Sequence, residues 1–404
     1  MNGSCAHCCA HSILPHHWRG DWESHMSETT ESAAASPVSG RVLAVDALRG
    51  FDMFWIAGGK PLLFGWTVAA GVSLPAWLSF HLEHVPWEGF SAWDLIMPLF
   101  LFISGVSLPF SLGRRLTTGQ EYRAVYRRIL RRIILLWILG MVAQGHLLEV
   151  ADMVITGHPD IYRLHFYSNT LQAIAAGYGV TAVVLLHARR DWQLFILSML
   201  LVVYWAVLTF IPVPGHPAGL LEPWCNIALW VDERLLGPFR DGTEYTWILS
   251  SLGFAASVLL GAQAGHILRS QASRSMKLAA LVGCGLVCLG LGWLWGQRFP
   301  IIKHLWTSSM VLWAAGWSFL LLAVFFALTD ILGIRRPFLI FTVIGMNAIV
   351  AYMGAPFLSD GIGYLINTFT SASPMQVWLG DVASFCILWL VLWGMYRKRW
   401  FVRL

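Results

Sequence analysis

The sequence predicts an all-α polytopic membrane bundle of about ten transmembrane helices. Two observations carry this. Of 404 residues, 57% are hydrophobic and only 12% charged, about half the charged share of an ordinary soluble domain. Apolar runs long enough to cross ~30 Å of hydrocarbon fall at 45–69, 92–112, 129–147, 170–187, 193–212, 247–268, 278–296, 307–330, 338–357 and 378–396. The 22 Trp and 10 Tyr suit interfacial belts.

Loop charges give the orientation. Arg114, Arg115, Arg123, Arg127, Arg128, Arg131 and Arg132 separate spans two and three. Arg189 and Arg190 follow span four, Arg269, Arg274 and Lys277 span six, Arg335 and Arg336 span eight, and Arg397, Lys398, Arg399 and Arg403 span ten. With ten spans all of these share one side, while the opposite loops hold only Arg163, Arg234, Arg240, Arg298 and Lys303, with Lys60 within or near span one. The positive-inside rule then puts both termini in the cytoplasm of an inner-membrane protein. Loops 70–91, 148–169, 213–246, 297–306 and 358–377 face outward, with His81, Glu83, His84, His158, His165 and His216 among them. The proline-rich loop 213–246 is expected to fold over the bundle as a cap.

Residues 1–40 carry no apolar pattern and read as a disordered cytoplasmic tail ahead of a membrane domain spanning 41–404. Met26-Ser-Glu-Thr-Thr-Glu is a more natural start than Met1, which makes 1–25 translated upstream sequence or part of the tail. That stretch has no apolar core of a signal peptide. Cys5, Cys8 and Cys9 sit with His7, His11, His16 and His17, but no second ligand pair follows, so no metal is expected. The seven cysteines form no disulfide framework. The net charge of +5 sits in short loops that set orientation, and nucleic acid is not an expected partner.

Few residues could carry chemistry. His84 and Asp94 stand at the mouth of an otherwise apolar helix, with Trp87 between them. An imidazole transfers protons near neutral pH without much tuning, and Asp94 could orient it, hold an amine or cap the helix. His81 and Glu83 are nearby competitors. Asp46 and Arg49 lie three apart on one face of span one and can pair. The pair either locks helices together or lines a donor pocket. Lys303 and Trp306 sit at an outer helix mouth, where a lysine snorkels or binds an anion. Glycines such as Gly261, Gly265, Gly285 and Gly292 suit close helix packing. No Walker loop, dinucleotide fingerprint, metalloprotease motif or serine elbow is present.

The stretch His84-Val-Pro-Trp-Glu-Gly, followed by Pro98-Leu-Phe-Leu-Phe-Ile-Ser-Gly105, resembles the heparan-alpha-glucosaminide N-acetyltransferase family, whose motif histidine is catalytic. The start of span one, Arg41 to Gly50, also resembles a wider superfamily of membrane acyltransferases. Further matches are Asn169-Thr-Leu-Gln172, Asp232-Glu-Arg-Leu-Leu-Gly237, Gly261-Ala-Gln-Ala-Gly265, Lys303-His-Leu-Trp306-Thr-Ser-Ser and Gly345-Met-Asn347-Ala-Ile. The resemblance covers about residues 41–357.

It implies an acetyl-CoA-dependent N-acetyltransferase of bacterial type. His84 and Asp94 would be catalytic. Trp87, Asn169, Gln172, Lys303, Trp306 and Asn347 would meet the acceptor, and Asp46, Arg49, Arg114 and Arg115 the donor. A glucosamine-type sugar or glycan is the implied acceptor, with membrane lipid around the bundle and a homodimer as an admissible assembly. Two departures stand out. Ala173 replaces the family's Arg, and Trp55 stands where animal members have an Asn that assists the histidine. Asn169, Gln172 or Asn347 could supply that amide, or else substrate and mechanism differ. The alternative from another class is a transporter or flippase for a lipid-linked sugar, with Asp46, Arg49 and Asp94 as midplane charges. A non-catalytic scaffold fits less well with so many ionisable groups at helix mouths.

Overall fold

The structure is a computed structural model and describes residues 42–117, 122–143, 164–369 and 373–402. The tail 1–40, its Cys/His cluster, most of the loop 148–169 with His158 and Arg163, and Arg403 lie outside the described residues.

Among the described residues, each of the ten apolar runs contains helix. Eight helices among the described residues are long and apolar enough to span a membrane. The chain is therefore a polytopic helical membrane protein. In order, the long helices are α1 (Leu43–Phe54), α2 (Lys60–Ala69), α4 (Ile96–Thr117), α5 (Tyr122–Ala143), α6 (Thr170–His187), α7 (Arg190–Phe210), α9 (Ser251–Arg269), α10 (Arg274–Gly296), α11 (Ser308–Phe326), α12 (Leu339–Met346), α13 (Ala348–Phe369) and α14 (Pro374–Arg397). Short α3 (Ala76–His81) and α8 (Ile227–Leu236) lie in connections, as does a hairpin of β1 (Leu221–Glu222) and β2 (Cys225–Asn226).

Three expectations change. Span one is not continuous: a π-helical turn at Trp55–Gly59, with Gly58 at φ 119°, separates α1 from α2. Only glycine holds that dihedral without strain. Span three forms α5, yet five arginines on its first half keep it from the apolar standard of the other helices. Span nine is shifted. It breaks at Asn347 (φ −126°, ψ 41°), and α13 runs on through 358–369, which was expected to be loop.

Helices pack through glycines. A Cβ on Gly105 would fall 1.9 Å from the carbonyl oxygen of Val258, and one on Gly261 1.9 Å from that of Phe102. The α4 and α9 backbones therefore touch, as small residues in membrane interfaces permit. Gly50 and Gly345 do the same for α1 and α12, with Cβ positions 1.6 Å from Phe341 O and 2.0 Å from Asp46 O. The core built around α4, α6, α9 and α11 is continuous. A second cluster joins α1, α12, α13 and α14. A third, with Tyr204, Leu208, Ile227, Phe299 and Leu305, ties the 213–246 connection to the ends of α7 and α10. That connection does cover one end of the bundle.

Candidate active site

The loop from Leu82 to Ala92 is fastened at several points. Glu88 forms an antiparallel bridge with Ile302. Gly89 N donates to Ile301 O at 2.9 Å. Trp87 Nε1 donates to Leu221 O at 2.9 Å, and its ring stacks on His304 at 5.1 Å. Two segments more than 200 residues apart are thus held side by side, which brings His84 to Lys303.

Asp94 is 1% exposed. Its Oδ2 accepts from Val85 N at 3.2 Å, Ser91 N at 3.1 Å and Ser91 Oγ at 3.0 Å. Its Oδ1 lies 2.7 Å from His84 Nδ1 and 3.3 Å from Lys303 Nζ. Lys303 Nζ is also 3.1 Å from His84 Nδ1. The carboxylate is thus fixed on one oxygen by the loop and on the other by the His84 and Lys303 side chains. An Nδ1–H donated to Asp94 is the tautomer that leaves a lone pair on Nε2, as a general base needs. Nε2 has no hydrogen bond among the described residues, and the His84 side chain is 48% exposed. Burial lowers the Lys303 ammonium from its ordinary range, against the raising pull of the Asp94 charge.

His84 and Lys303 line a cavity of about 460 Å³. Its other walls are Ile56, Trp93, Ile96, Met97, Ser168, Thr170, Asp241, Thr243, Tyr245, Trp247 and Tyr352. Cavities of this size suit small-molecule ligands. A larger open groove of about 830 Å³ between α5 and α6 is lined by no carboxylate or imidazole, so it lacks the means for proton transfer. Tyr245 is pushed up to about 12 by burial and by the Asp94 and Glu244 charges, so its phenol stays a donor at neutral pH.

The other expected site residues scatter. Trp87 stacks on His304 at 5.1 Å. Asn169 caps α6 by accepting from Leu171 N at 2.7 Å, and its Nδ2 donates to the Tyr352 hydroxyl at 3.1 Å, one residue removed from the cavity. Gln172 spends its amide on Ser168 N, Asn169 N and Phe166 O. Asn347 holds the C-terminal segment through Trp400 O at 3.0 Å and Val402 N at 3.0 Å. Trp306 is packed in the core at φ 53°, its Nε1 donating to Ser257 Oγ at 3.0 Å. None of these five lines the cavity. Of the two competitors, His81 Nδ1 accepts from Ala92 N at 3.3 Å, and Glu83 pairs with Lys60 at 2.6 Å.

Asp46 and Arg49 do pair, at 3.3 Å, and Arg49 Nη2 donates to Ser107 Oγ on α4 at 2.7 Å. They lie on α1 below Ile56, by about 10 Å of helix rise from Arg49. Arg114 and Arg115 belong to α4, and their side chains lie outside the described residues. Trp93, Asp241, Tyr245, Trp247 and Tyr352 were not foreseen. Trp55 packs edge-on against Trp93 at 6.2 Å, and Trp93 against His84 at 6.4 Å. The position of the family's Asn is thus one ring removed from the imidazole.

The chain is thus a polytopic helical membrane protein in which a histidine, held by a buried carboxylate, lines a cavity. Among known proteins the chain is 25% identical over 378 residues to heparan-alpha-glucosaminide N-acetyltransferase of Homo sapiens and 23% identical over 378 residues to that of Mus musculus. Each match takes in 80% of this chain, and the chain spans about 56% of the length of these relatives. This is distant homology to that acetyltransferase. No family model matches the chain.

Proposed function

We propose that residues 41–404 form an acyltransferase domain that moves an acetyl group from acetyl-CoA to the amine of a glucosamine-type acceptor. The observation that supports this most directly is the 2.7 Å contact of His84 Nδ1 with buried Asp94, which leaves Nε2 without a hydrogen bond.

The chemistry needs a base. A bound ammonium first sheds one proton to become a nucleophile. Its nitrogen then attacks the thioester carbonyl, the N–C bond forms and the C–S bond breaks. The second N–H proton passes to His84 Nε2, and the thiolate leaves and is protonated. The balance is one amide, one free thiol and one proton released. Asp94 holds the imidazole in orientation and stabilises its charged form. The Lys303 ammonium, on the same cavity wall, is placed to favour developing negative charge on the carbonyl oxygen. An acyl-imidazole on Nε2 is the other route the geometry accommodates.

The donor must reach this cavity from outside it, because 460 Å³ takes a sugar ring and an acetyl thioester but not a nucleotide. Asp46, Arg49, Arg114 and Arg115 are the groups we assign to the nucleotide end, since guanidinium suits phosphate. With the arginine-rich loops in the cytoplasm, acetyl-CoA enters from there and His84 faces the opposite side of the membrane. Cysteine labelling of intact cells should then reach 213–246 and miss 116–124.

The decisive experiment purifies wild type and His84→Ala, confirms acetyl-CoA binding in both, and follows CoA release with glucosamine. We expect His84→Ala to stay folded and lose about 10²–10⁴-fold in rate. His81→Ala should lose far less. A His84→Ala protein turning over at the parental rate removes the assignment and leaves the lipid-linked sugar transporter ahead.

A further inference from the structure

The segment 241–247 also lines the cavity and carries a carboxylate, Asp241, that no sequence motif marked. A turn with Gly242 at φ 71° presents it. Asp241 Oδ1 accepts from Thr243 N at 3.1 Å. Oδ2 accepts from Thr243 Oγ1 at 3.0 Å and from Trp247 Nε1 at 3.1 Å. All three donors are neutral. A carboxylate offers about four lone-pair sites, so one remains on Oδ1.

Among the described residues no cationic side chain forms an ion pair with Asp241. The adjacent cation, Arg240, is turned elsewhere: Nη1 donates to Thr243 O at 2.6 Å and Nη2 lies 4.0 Å from Glu233. The other ionic wall residue with a fixed charge, Lys303, is matched by Asp94 at 3.3 Å. With His84 in the neutral form a base requires, the described walls of the cavity carry the net charge of Asp241. The same cavity is lined by the rings of Trp93, Tyr245, Trp247 and Tyr352, and aromatic faces attract cations.

We infer that Asp241 is the specificity residue of the acceptor subsite: it holds the acceptor as its cation and selects against acceptors that carry an added anionic group. This rests on the acetyl-transfer reading for its place in the reaction. The selection itself is a binding property and can be tested apart from chemistry. The Asp241 charge and the rings favour the ammonium form on binding, whereas a sulfated sugar brings a second negative charge toward that carboxylate.

The test uses the full chain in detergent. Equilibrium binding of glucosamine, glucose and glucosamine 6-sulfate is followed by tryptophan fluorescence, because Trp93 and Trp247 line the cavity. Wild type should prefer glucosamine over both others. Asp241→Asn, which keeps an acceptor oxygen in place, should weaken glucosamine about tenfold, the size of one charge-assisted hydrogen bond. It should leave glucose unchanged and narrow the gap to the sulfated sugar. Asp241→Glu should recover part of the preference, which separates charge from folding. If wild type binds glucose as well as glucosamine, or if Asp241→Asn leaves the order and spacing intact, the inference is overturned. With acetyl-CoA present, the same variant should raise the glucosamine KM about tenfold and change kcat little. A fall in kcat alone also overturns it. Selective binding without any CoA release keeps Asp241's role and removes the acetyltransferase reading instead.

Discussion

His84 and Asp94 are ten residues apart and meet at 2.7 Å, with the second carboxylate oxygen taken by the backbone and hydroxyl of the turn between them. The motif is therefore a self-contained holder: Ser91 fixes Asp94, Asp94 fixes the imidazole, and the free edge of the ring is left to the cavity. What the local motif does not contain is the counter-ion for Asp94. Lys303 supplies it from the connection between α10 and α11, and the Glu88–Ile302 bridge keeps it there.

That dependence gives the first prediction. Lys303→Met leaves a fully buried Asp94 with no ammonium partner. Breaking a buried ion pair from one side costs about 3–5 kcal/mol, so the melting temperature should fall clearly. Lys303→Met together with Asp94→Asn should restore most of it, because the orphaned charge is gone. Thermal unfolding of the single and double variants decides the matter: equal losses in both would show that the lysine acts through packing alone.

The packing prediction concerns two glycines. Gly261→Ala puts a methyl 1.9 Å from a backbone oxygen of α4, and a backbone oxygen cannot swing aside. The two helices must separate, at about 3 kcal/mol or more. Gly283→Ala is the control, since nothing lies within 4 Å of its Cβ position. There the better helix former should be neutral or stabilising by up to about 1 kcal/mol. Expression and melting of the pair should diverge sharply, and similar behaviour would refute the close approach.

The sequence revealed the bundle and part of the candidate site. Apolar length alone located all ten helical stretches, because hydrocarbon imposes it. It missed the breaks at Gly58 and Asn347, where backbone dihedrals interrupt a run that is still apolar. His84 and Asp94 were legible because the motif places them close in the chain. Lys303 was legible only as a cation at a helix mouth. Its tie to Asp94 depends on a loop pairing across 209 residues. Asp241 sits in an unremarkable Asp-Gly-Thr turn and gains its meaning from the cavity it faces. Trp306 and Asn347 looked like site residues and are instead a core ring and a tether for the C-terminal segment.

A pH prediction follows from His304, clasped between Trp87 at 5.1 Å and Tyr245 at 4.3 Å. Burial, then the Lys303 charge, lower its imidazole to about 4 from an ordinary 6.5. Between those values the unfolded chain binds a proton that the folded chain refuses. Stability from this residue is therefore complete above pH 6.5 and falls as pH drops toward 4, by at most about 3 kcal/mol. Asp232, held up to about 6 by burial, acts oppositely between 3.8 and 6. Comparing wild type with His304→Phe cancels that contribution and keeps the stacked ring. The wild type should lose melting temperature relative to the variant from pH 7 to pH 4.5; parallel curves would count against a buried neutral imidazole.

The last prediction concerns Asp52 on α1. It is 1% exposed, and neither carboxylate oxygen has a hydrogen-bond partner among the described residues. Arg49, three residues earlier, gives its guanidinium to Asp46 and Ser107 instead. A buried polar group with no partner opposes folding by about 1–3 kcal/mol, and an ionisable one inside a membrane helix is costlier still unless it serves a purpose. Asp52→Leu fills nearly the same space with apolar atoms, so the resting protein should become more stable, with a higher melting temperature in detergent. Asp52→Asn retains the unsatisfied polarity and should gain less. The order Leu above Asn above wild type is the expected result. A Leu variant that melts below wild type would mean that Asp52 has a partner in the membrane-embedded protein, and that this partner contributes more than the burial of the carboxylate costs.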